Sequence, residues 1–559
     1  MKRNTAILLV ILIFVFFIVL FILSLFLIPF VEEEKLPEKG FLSINLSGVI
    51  EEETPEIPFM RPPSLTMRDF FVALKSASKD RRIEGVYLKL GPLSVGPAKA
   101  QEMVGIIKKF RSYGKKVIVY SETMGNLEYM IASSADKIYL NPSGFLMLNG
   151  LASESIFLKG TLDKLGIKAE LEHIEEYKTA SNTFTEEKFT PAHREMMNSL
   201  MDSLFDSFIK TIAEGRKKNI NEIRALIDRG PFTATDALKE GLVDRLLYED
   251  EVLKEVKEKN LIKIKPYLKR TNLMGRKKIA VLYAIGSINL GESGIDPIFG
   301  GYVMGSETMR RVMKEIEEDS SIKGVVMRID SPGGSATASD IILRSAKNIK
   351  EKKPLVISMS DVAGSGGYWI AMESNWIVAQ PSTLTASIGV IGGKFSMRGF
   401  YEKIGVNIEI VKRGKFSDIY SDWREFTPEE REKIRREIGW IYEEFKKRVS
   451  KCRKISVDEV DKIGKGRVWT GEQAKNLKLV DQLGGLDEAI SKVKELAGIP
   501  EKEEVEIVFY PKRKTIFERI FSLADIELSE IRTFLSFLNS ISPSKRVILA
   551  IMPFLIKIN

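Results

Sequence analysis

The chain has 559 residues, 44% of them hydrophobic and 29% charged. That composition is globular, and the length is too great for one ordinary domain. Its single cysteine, Cys452, excludes an intrachain disulfide but leaves the compartment open, because a large core needs no covalent staple. The net charge of +9 comes largely from residues 260–278, which hold seven basic and no acidic side chains. No broad basic face or nucleic-acid motif accompanies that stretch, so nucleic acid is not expected as a partner. The plain reading is a solvated linker, and the functional one is contact with anionic lipid.

In chain order, residues 6–31 come first, AILLVILIFVFFIVLFILSLFLIPFV, with no charge among them. An apolar run of ~20 residues spans a bilayer. A cleavable signal has a shorter apolar core, ~7–15 residues, and ends in small side chains. This run ends in Leu27, Ile28, Pro29 and Phe30, which predicts an uncleaved transmembrane anchor. Lys2 and Arg3 precede it, and Glu32, Glu33 and Glu34 follow. Basic flanks stay inside, so residues 1–5 are expected in the cytoplasm and the body outside it. A buried core helix would instead need a large partner surface at the very N-terminus.

The rest of the chain repeats itself. RRIEGVYLKLGP (81–92) resembles SSIKGVVMRIDSP (320–332), with Ile83 matching Ile322 at an offset of 239. Further on, FTPAHRE (189–195) matches FTPEERE (426–432), and FTATDALKEGLVD (232–244) matches WTGEQAKNLKLVD (469–481), both at 237. Such self-similarity means two copies of one domain. Short β-branched runs at 324–330, 354–360 and 376–381 predict strands, and the patterns at about 336–350 and 366–374 predict helices. Alternation of this kind predicts α/β units on mostly parallel sheets. The expected domains are 40–259 and 279–500, with the basic linker at 260–278 and an apolar C-terminal extension at 501–559.

The two copies have kept different residues. Ser365, in DVAGSGGYWIA, maps to Asn126, and SPGGS (331–335) maps to PLSVG (92–96), without the central glycines. Conversely Lys178, in EEYKTASNTF, maps to Ser417, with Lys415 two residues away. Complementary losses of this kind predict one composite site.

A serine hydroxyl needs a base to take its proton. The chain has two histidines, His173 and His193. His193 sits in an ordinary helix start, and its repeat partner is Glu430. His173 leaves a Ser-His-Asp arrangement open. A lysine serves if it is neutral, which burial favours. Lys178 then requires Glu175 and Glu176 to point away from it. Lys415 is the other lysine in reach of the mapped position. The glycines suit an oxyanion hole: the Gly366 N–H at a helix start, and one of Gly333 and Gly334. A phosphate cradle would need a Gly-Lys-Ser/Thr or a full G-x-G-x-x-G, and neither is present in context.

These stretches, together with PSTLTASIGVIGG and GRVWTGEQAKNLKLVDQLGG, resemble the signal peptide peptidases in their long, membrane-anchored, tandem-domain form. The likeness runs over about residues 40–495. It implies a Clp-protease/crotonase-like fold and peptide-bond cleavage by a Ser/Lys dyad, with Ser365 as nucleophile and Lys178 as general base. In single-copy members the lysine falls where this chain has Ser417. The resemblance also implies that Ser387, in TASIG, hydrogen-bonds the lysine; its repeat partner is Leu148. It implies hydrophobic signal-peptide remnants as substrates, a ring-like homo-tetramer, and no metal or organic cofactor.

The resemblance leaves residues 515–559 unexplained. Ile516, Phe517, Ile520 and Phe521 have helical spacing, as do Ile531, Phe534, Leu535 and Leu538. They predict helices packed on the protein itself or lying at a membrane interface. VILAIMPFLI (547–556) is too short to span. Two rival functions share the fold: a catalytically weak membrane scaffold and a crotonase-type acyl-CoA enzyme. Intact Ser365, Lys178 and SPGG argue against the first. A catalytic body outside the cytoplasm argues against the second.

Overall fold

The computed structural model describes residues 37–53, 65–271, 275–296, 301–512 and 547–551, together with Phe16. The expected anchor at 6–31 lies outside the described residues apart from Phe16, which is helical. The helices expected within 515–546 also lie outside them. Among the described residues no helix is long and apolar enough to cross a membrane.

Each half is built on a mostly parallel sheet. In the first half the strands Lys137–Leu146, Lys116–Met124, Ile83–Ser94 and Gly40–Val49 lie side by side, all parallel. Their inner runs, such as Val117, Val119, Leu88 and Ile44, are fully buried, as parallel strands covered on both faces require. The crossovers are helices, which parallel pairing demands. Met67–Lys79 opens on a capping box in which Thr66 accepts from the Asp69 N–H and Asp69 reaches back. The second half repeats the plan with Leu384–Ala386, Leu355–Gly364, Ile322–Ser331, Lys277–Ile285 and Val505–Tyr510.

The repeated FTP motif opens the same helix twice. Pro191–Arg216 and Pro428–Arg453 are each 26 residues long, with Pro in the first turn and Thr190 or Thr427 as cap. Proline suits that turn because its missing N–H would have had no partner there. Each helix ends on a lysine in the left-handed region, Lys217 and Lys454.

The expected linker is partly folded. Ile262–Lys263 pairs with Gly40–Val49, and Ile264–Arg270 is a helix. Ile262, Ile264 and Tyr267 are buried while the lysines between them stay out, so the charge of this stretch concealed an apolar face. The expected extension likewise contains a structural strand, Val505–Tyr510, parallel to Lys277–Ile285.

A third sheet joins the halves. Its order is Gly294–Ile295, Tyr302–Gly305, Ser287–Asn289, Gly333–Ser335, Val547–Ile551, Ile391–Ser396, then Lys168–His173 from the first half. The halves also share buried charge. Arg328 of the second half donates to Glu52 at 2.9 and 3.0 Å, to Ser358 at 2.8 Å, and to Glu102. Lys99 of the first half donates to Asp330 at 2.6 Å and lies 3.2 Å from Asp361. These two aspartates stand at the head of the two glycine-rich motifs. Removing one partner of such a buried cluster costs about 3–5 kcal/mol, so the interface holds the halves in one register.

Candidate active site

Ser365 sits between the strand Leu355–Gly364 and the helix Gly366–Ala371 at φ +53, ψ −109. A non-glycine residue there costs on the order of 1–3 kcal/mol. The turn is held by the Ser365 N–H, which donates to the Ala386 carbonyl at 2.7 Å, and by Trp369 N–H, which donates to the Ser365 carbonyl at 2.8 Å. The Ser365 hydroxyl makes no cap to the helix it precedes, and the side chain is fully buried.

Lys178 comes from the first half, 187 residues earlier, and its Nζ lies 2.8 Å from Ser365 Oγ. It also lies 3.0 Å from Ser387 Oγ and 3.1 Å from the Ser387 carbonyl oxygen. Those are three polar neighbours. A neutral amine matches them, donating its two hydrogens to Ser387 and accepting the Ser365 hydroxyl hydrogen. Lys178 is fully buried, and burial holds its pKa well below the ordinary lysine value. Glu176 is drawn off to Lys465 at 3.5 Å.

The lysine is seated by backbone. Tyr177 N–H donates to the Lys465 carbonyl at 3.1 Å, and Ile174 N–H to the Val390 carbonyl at 3.2 Å. The Tyr177 hydroxyl donates to Glu195 at 2.8 Å, and Arg467 stacks on the Tyr177 ring while donating to the same carboxylate. Two residues that sequence reasoning did not single out make room. A Cβ on Gly466 (φ +80) would stand 2.4 Å from the Lys178 nitrogen, and one on Gly389 would stand 3.1 Å from its Cδ. Both lie inside motifs that could have pointed to them, GRVWTG and TASIG.

Ser387 is itself at φ +51, and its N–H donates to the Arg467 carbonyl at 2.9 Å. The three candidate glycines pack closely: a Cβ on Gly366 would lie 3.1 Å from both the Gly333 Cα and the Gly334 nitrogen. The Gly366 N–H opens a helix, where donors and dipole favour an anion. The Gly333 N–H donates to Ser331 Oγ at 3.2 Å, so an oxyanion would have to take it from that hydroxyl. Gly334 lies in the ladder opposite Ile288 and Ala550.

The other sequence candidates stand elsewhere. His173 is exposed, with its Nδ1 2.8 Å from the Glu175 carbonyl oxygen. His193 is buried against Phe157 and Phe189, and burial lowers its pKa to about 4. Lys415 is exposed and ion-paired with Glu429. Ser417 donates to the Gly414 carbonyl on the surface. Among the described residues no group of His, Cys, Asp or Glu could hold a metal ion.

The model of peptidase family S49 matches residues 109–263 and 347–500. The chain is 33% identical to Serine protease SPPA, chloroplastic, of Arabidopsis thaliana over 461 residues, 80% of this chain and 68% of that protein. It is 31% identical to Protease 4 of Salmonella typhi over 472 residues, 81% of this chain and 75% of that one. Among solved structures, a mutant ClpP1 from Listeria monocytogenes aligns at a TM-score of 0.24 and 16% identity, over 37% of this chain and 92% of that one.

Proposed function

The chain belongs to peptidase family S49 and is a serine protease of the tandem-domain kind, and on that premise we propose that it cuts peptide bonds with a Ser365–Lys178 dyad shared between its halves. The observation that carries this reading is the 2.8 Å approach of a fully buried lysine to a strained serine. Ser365 Oγ attacks the carbonyl carbon as neutral Lys178 Nζ takes the hydroxyl proton. The oxyanion forms against the Gly366 N–H, with Gly333 or Gly334 as second donor. As the intermediate collapses, the ammonium returns the proton to the leaving amine. Water then attacks the acyl-enzyme with Lys178 again as base. Ser387 holds Nζ in line.

The substrates in this reading are signal-peptide remnants and other unfolded apolar peptides. A cleft of about 760 Å³ opens at Ser335, lined by Leu290, Trp440 and Ile441 together with Lys433, Arg436 and Glu437. The apolar run at 6–31 anchors the protein in the membrane as a single pass, with lipid around it. The body lies outside the cytoplasm, as the charges flanking the run favour.

The repeat also favours a homo-oligomer, for which the resemblance implies a tetramer. Within one chain Lys168–His173 pairs with Ile391–Ser396. At the offset of 239 the corresponding segments are 407–412 and 152–157, and neither is paired as a strand. They expose Val411 by 89% and Ile156 by 72%. Segment 407–412 of one copy and 152–157 of the next can repeat the internal pairing, which makes a head-to-tail interface, the kind from which rings are built.

The test is the full-length protein in detergent with a quenched apolar peptide, beside Ser365→Ala and Lys178→Ala. Both variants are expected to lose at least ~10³-fold in kcat. An active Lys178→Ala would place the base elsewhere, and a wild type inert on every peptide would favour a scaffold.

A further inference from the structure

A second buried lysine crosses from the first half to the second. Lys99 lies in the first turn of the helix Pro97–Ser112. Its Nζ donates to Asp330 at 2.6 Å and stands 3.2 Å from Asp361. Its backbone N–H donates to the other Asp361 oxygen at 2.9 Å. Burial alone would lower its pKa, but the charges of Asp330, Asp361 and Glu52 outweigh that and hold it above the ordinary lysine value. Lys99 is thus the charged counterpart of Lys178, whose hydrogen-bond neighbours are neutral.

Both sides of this contact are shaped for it. Gly96 precedes the helix as its cap and offers no side chain, and a Cβ there would run into the Asp361 carboxylate. At the offset of 239 the matching cap is Ser335, which accepts the Ala338 N–H at 3.3 Å. The first half lacks that cap and takes Asp361 of the second half instead, an acceptor that suits a helix N-terminus. Lys99 itself is matched by Ala338, so the arrangement runs one way only, as the Lys178 seat does.

The two aspartates stand where the glycine-rich motifs leave the sheet. The strands Ile322–Ser331 and Leu355–Gly364 keep register as far as Ile329 opposite Met359, and the next pair is Ser331 with Ala363. Between those pairs Asp330 alone faces Ser360, Asp361 and Val362. Asp330 Oδ1 accepts the Val362 N–H at 3.2 Å across that shift. Gly333 follows Asp330 by three residues, and Ser365 follows Asp361 by four. Two carboxylates that share one ammonium repel each other without it, and their displacement would pass to both loops over a few residues of backbone.

We propose that Lys99 is a positioning residue for the oxyanion site: its ammonium ties Asp330 to Asp361 and so sets the spacing between Gly333–Gly334 and the Ser365–Gly366 turn. The proposal rests on reading Ser365 and Lys178 as a peptidase site. The spacing matters once the carbonyl oxygen carries charge, so its loss falls on kcat rather than on KM.

The test uses the full-length protein in detergent. Lys99→Met removes the charge and keeps the backbone N–H. Lys99→Gln keeps a side-chain donor, and it carries the test if Lys99→Met does not fold. Lys99→Met combined with Asp330→Asn returns the triad to its wild-type net charge and lets the new amide donate to Asp361. With a quenched apolar peptide, kcat is expected to fall about 10²-fold in Lys99→Met and about tenfold in Lys99→Gln, as for donors misplaced by ~1 Å. The double variant is expected to recover about tenfold over Lys99→Met, with KM within about twofold throughout. An apolar peptide aldehyde adds Ser365 Oγ to its carbonyl carbon and places the resulting oxygen in the oxyanion site, so its inhibition should weaken in step with kcat. Binding of the uncut peptide, followed by anisotropy on a Ser365→Ala background, should not change.

Wild-type kcat and aldehyde affinity in Lys99→Met and Lys99→Gln would overturn the proposal and leave the peptidase reading intact. Peptide binding that falls together with kcat would also overturn it, because a site that has come apart as a whole behaves that way. A double variant no better than Lys99→Met would remove like-charge repulsion as the cause and overturn it again. A wild type that neither cuts peptide nor takes up the aldehyde would end the peptidase reading, and the proposal with it.

Discussion

The two halves share one plan and differ at the same point in it. The second half carries Ser365 ahead of its helix at φ +53. The first half carries Asn126 there, as the first residue of a helix, with its amide donating to Asn149 at 3.1 Å and to the Gly150 carbonyl at 2.9 Å. Two residues on, Gly367 is matched by Glu128, whose carboxylate accepts the Leu93 N–H at 2.6 Å. A carboxylate in that place satisfies a backbone donor and would repel a developing oxyanion. The first half is thus closed as a site of its own, while its Lys168–His173 strand and the turn after it carry Lys178 into the second. The corresponding segment of the second half, 407–417, lies on the surface. The difference teaches that a duplicated domain can bring side chains of both copies within hydrogen-bond distance across a buried interface, which is what the proposed dyad requires.

Moving the lysine is the severest challenge to this division. The double variant Lys178→Ser, Ser417→Lys restores the single-copy arrangement in sequence, yet position 417 is exposed. It is expected to stay at least ~10³-fold below wild type in kcat. Recovery of peptide cleavage would mean the second half can complete the site alone.

A smaller effect is expected at Ser387. Ser387→Ala removes one of the three polar neighbours of Nζ, and kcat should fall about 10–100-fold with KM unchanged, in line with ~1.5–3 kcal/mol for a hydrogen bond to a charged group. The acid limb of the kcat profile should move to lower pH, because the ammonium loses an acceptor. Ser387→Thr should restore part of the loss.

The smallest effect is on stability. Folded Lys178 gives up its proton well below the ordinary value of 10.5, whereas the unfolded chain keeps it up to that pH. Between the two values unfolding takes up a proton, so stability rises with pH across that window. Lys178→Met, inactive as a protease, is therefore expected to melt a few degrees higher than wild type at neutral pH. The gap should narrow toward pH 10.5 in calorimetry. A constant gap across pH would mean that Lys178 is charged in its pocket.

Much of the fold was legible in the sequence because its signals are local. The β-branched run at 324–330 falls within the strand Ile322–Ser331, the run at 354–360 overlaps Leu355–Gly364 from its second residue on, and the helical patterns at 336–350 and 366–374 correspond to Ala336–Lys352 and Gly366–Ala371. Charge misled where it hid periodicity, as in 260–278, whose isoleucines and tyrosine are buried beneath exposed lysines. The seat of Lys178 was not legible, because it is made of contacts remote in sequence. Gly466 acts by having no side chain at all, and Lys465 acts through its backbone carbonyl.

The sequence by itself determined the repeat, the α/β class, the glycine-flanked serine and the short list of lysines and histidines that could serve it. Each of these is written in neighbouring residues or in one fixed offset. Only the tertiary structure separated the members of that list in space, burying Lys178 beside Ser365 and leaving Lys415 and His173 in solvent. Only it placed Val547–Ile551 between two glycine-rich strands. Burial and strand partners are properties of the packed whole, and no stretch of sequence carries them alone.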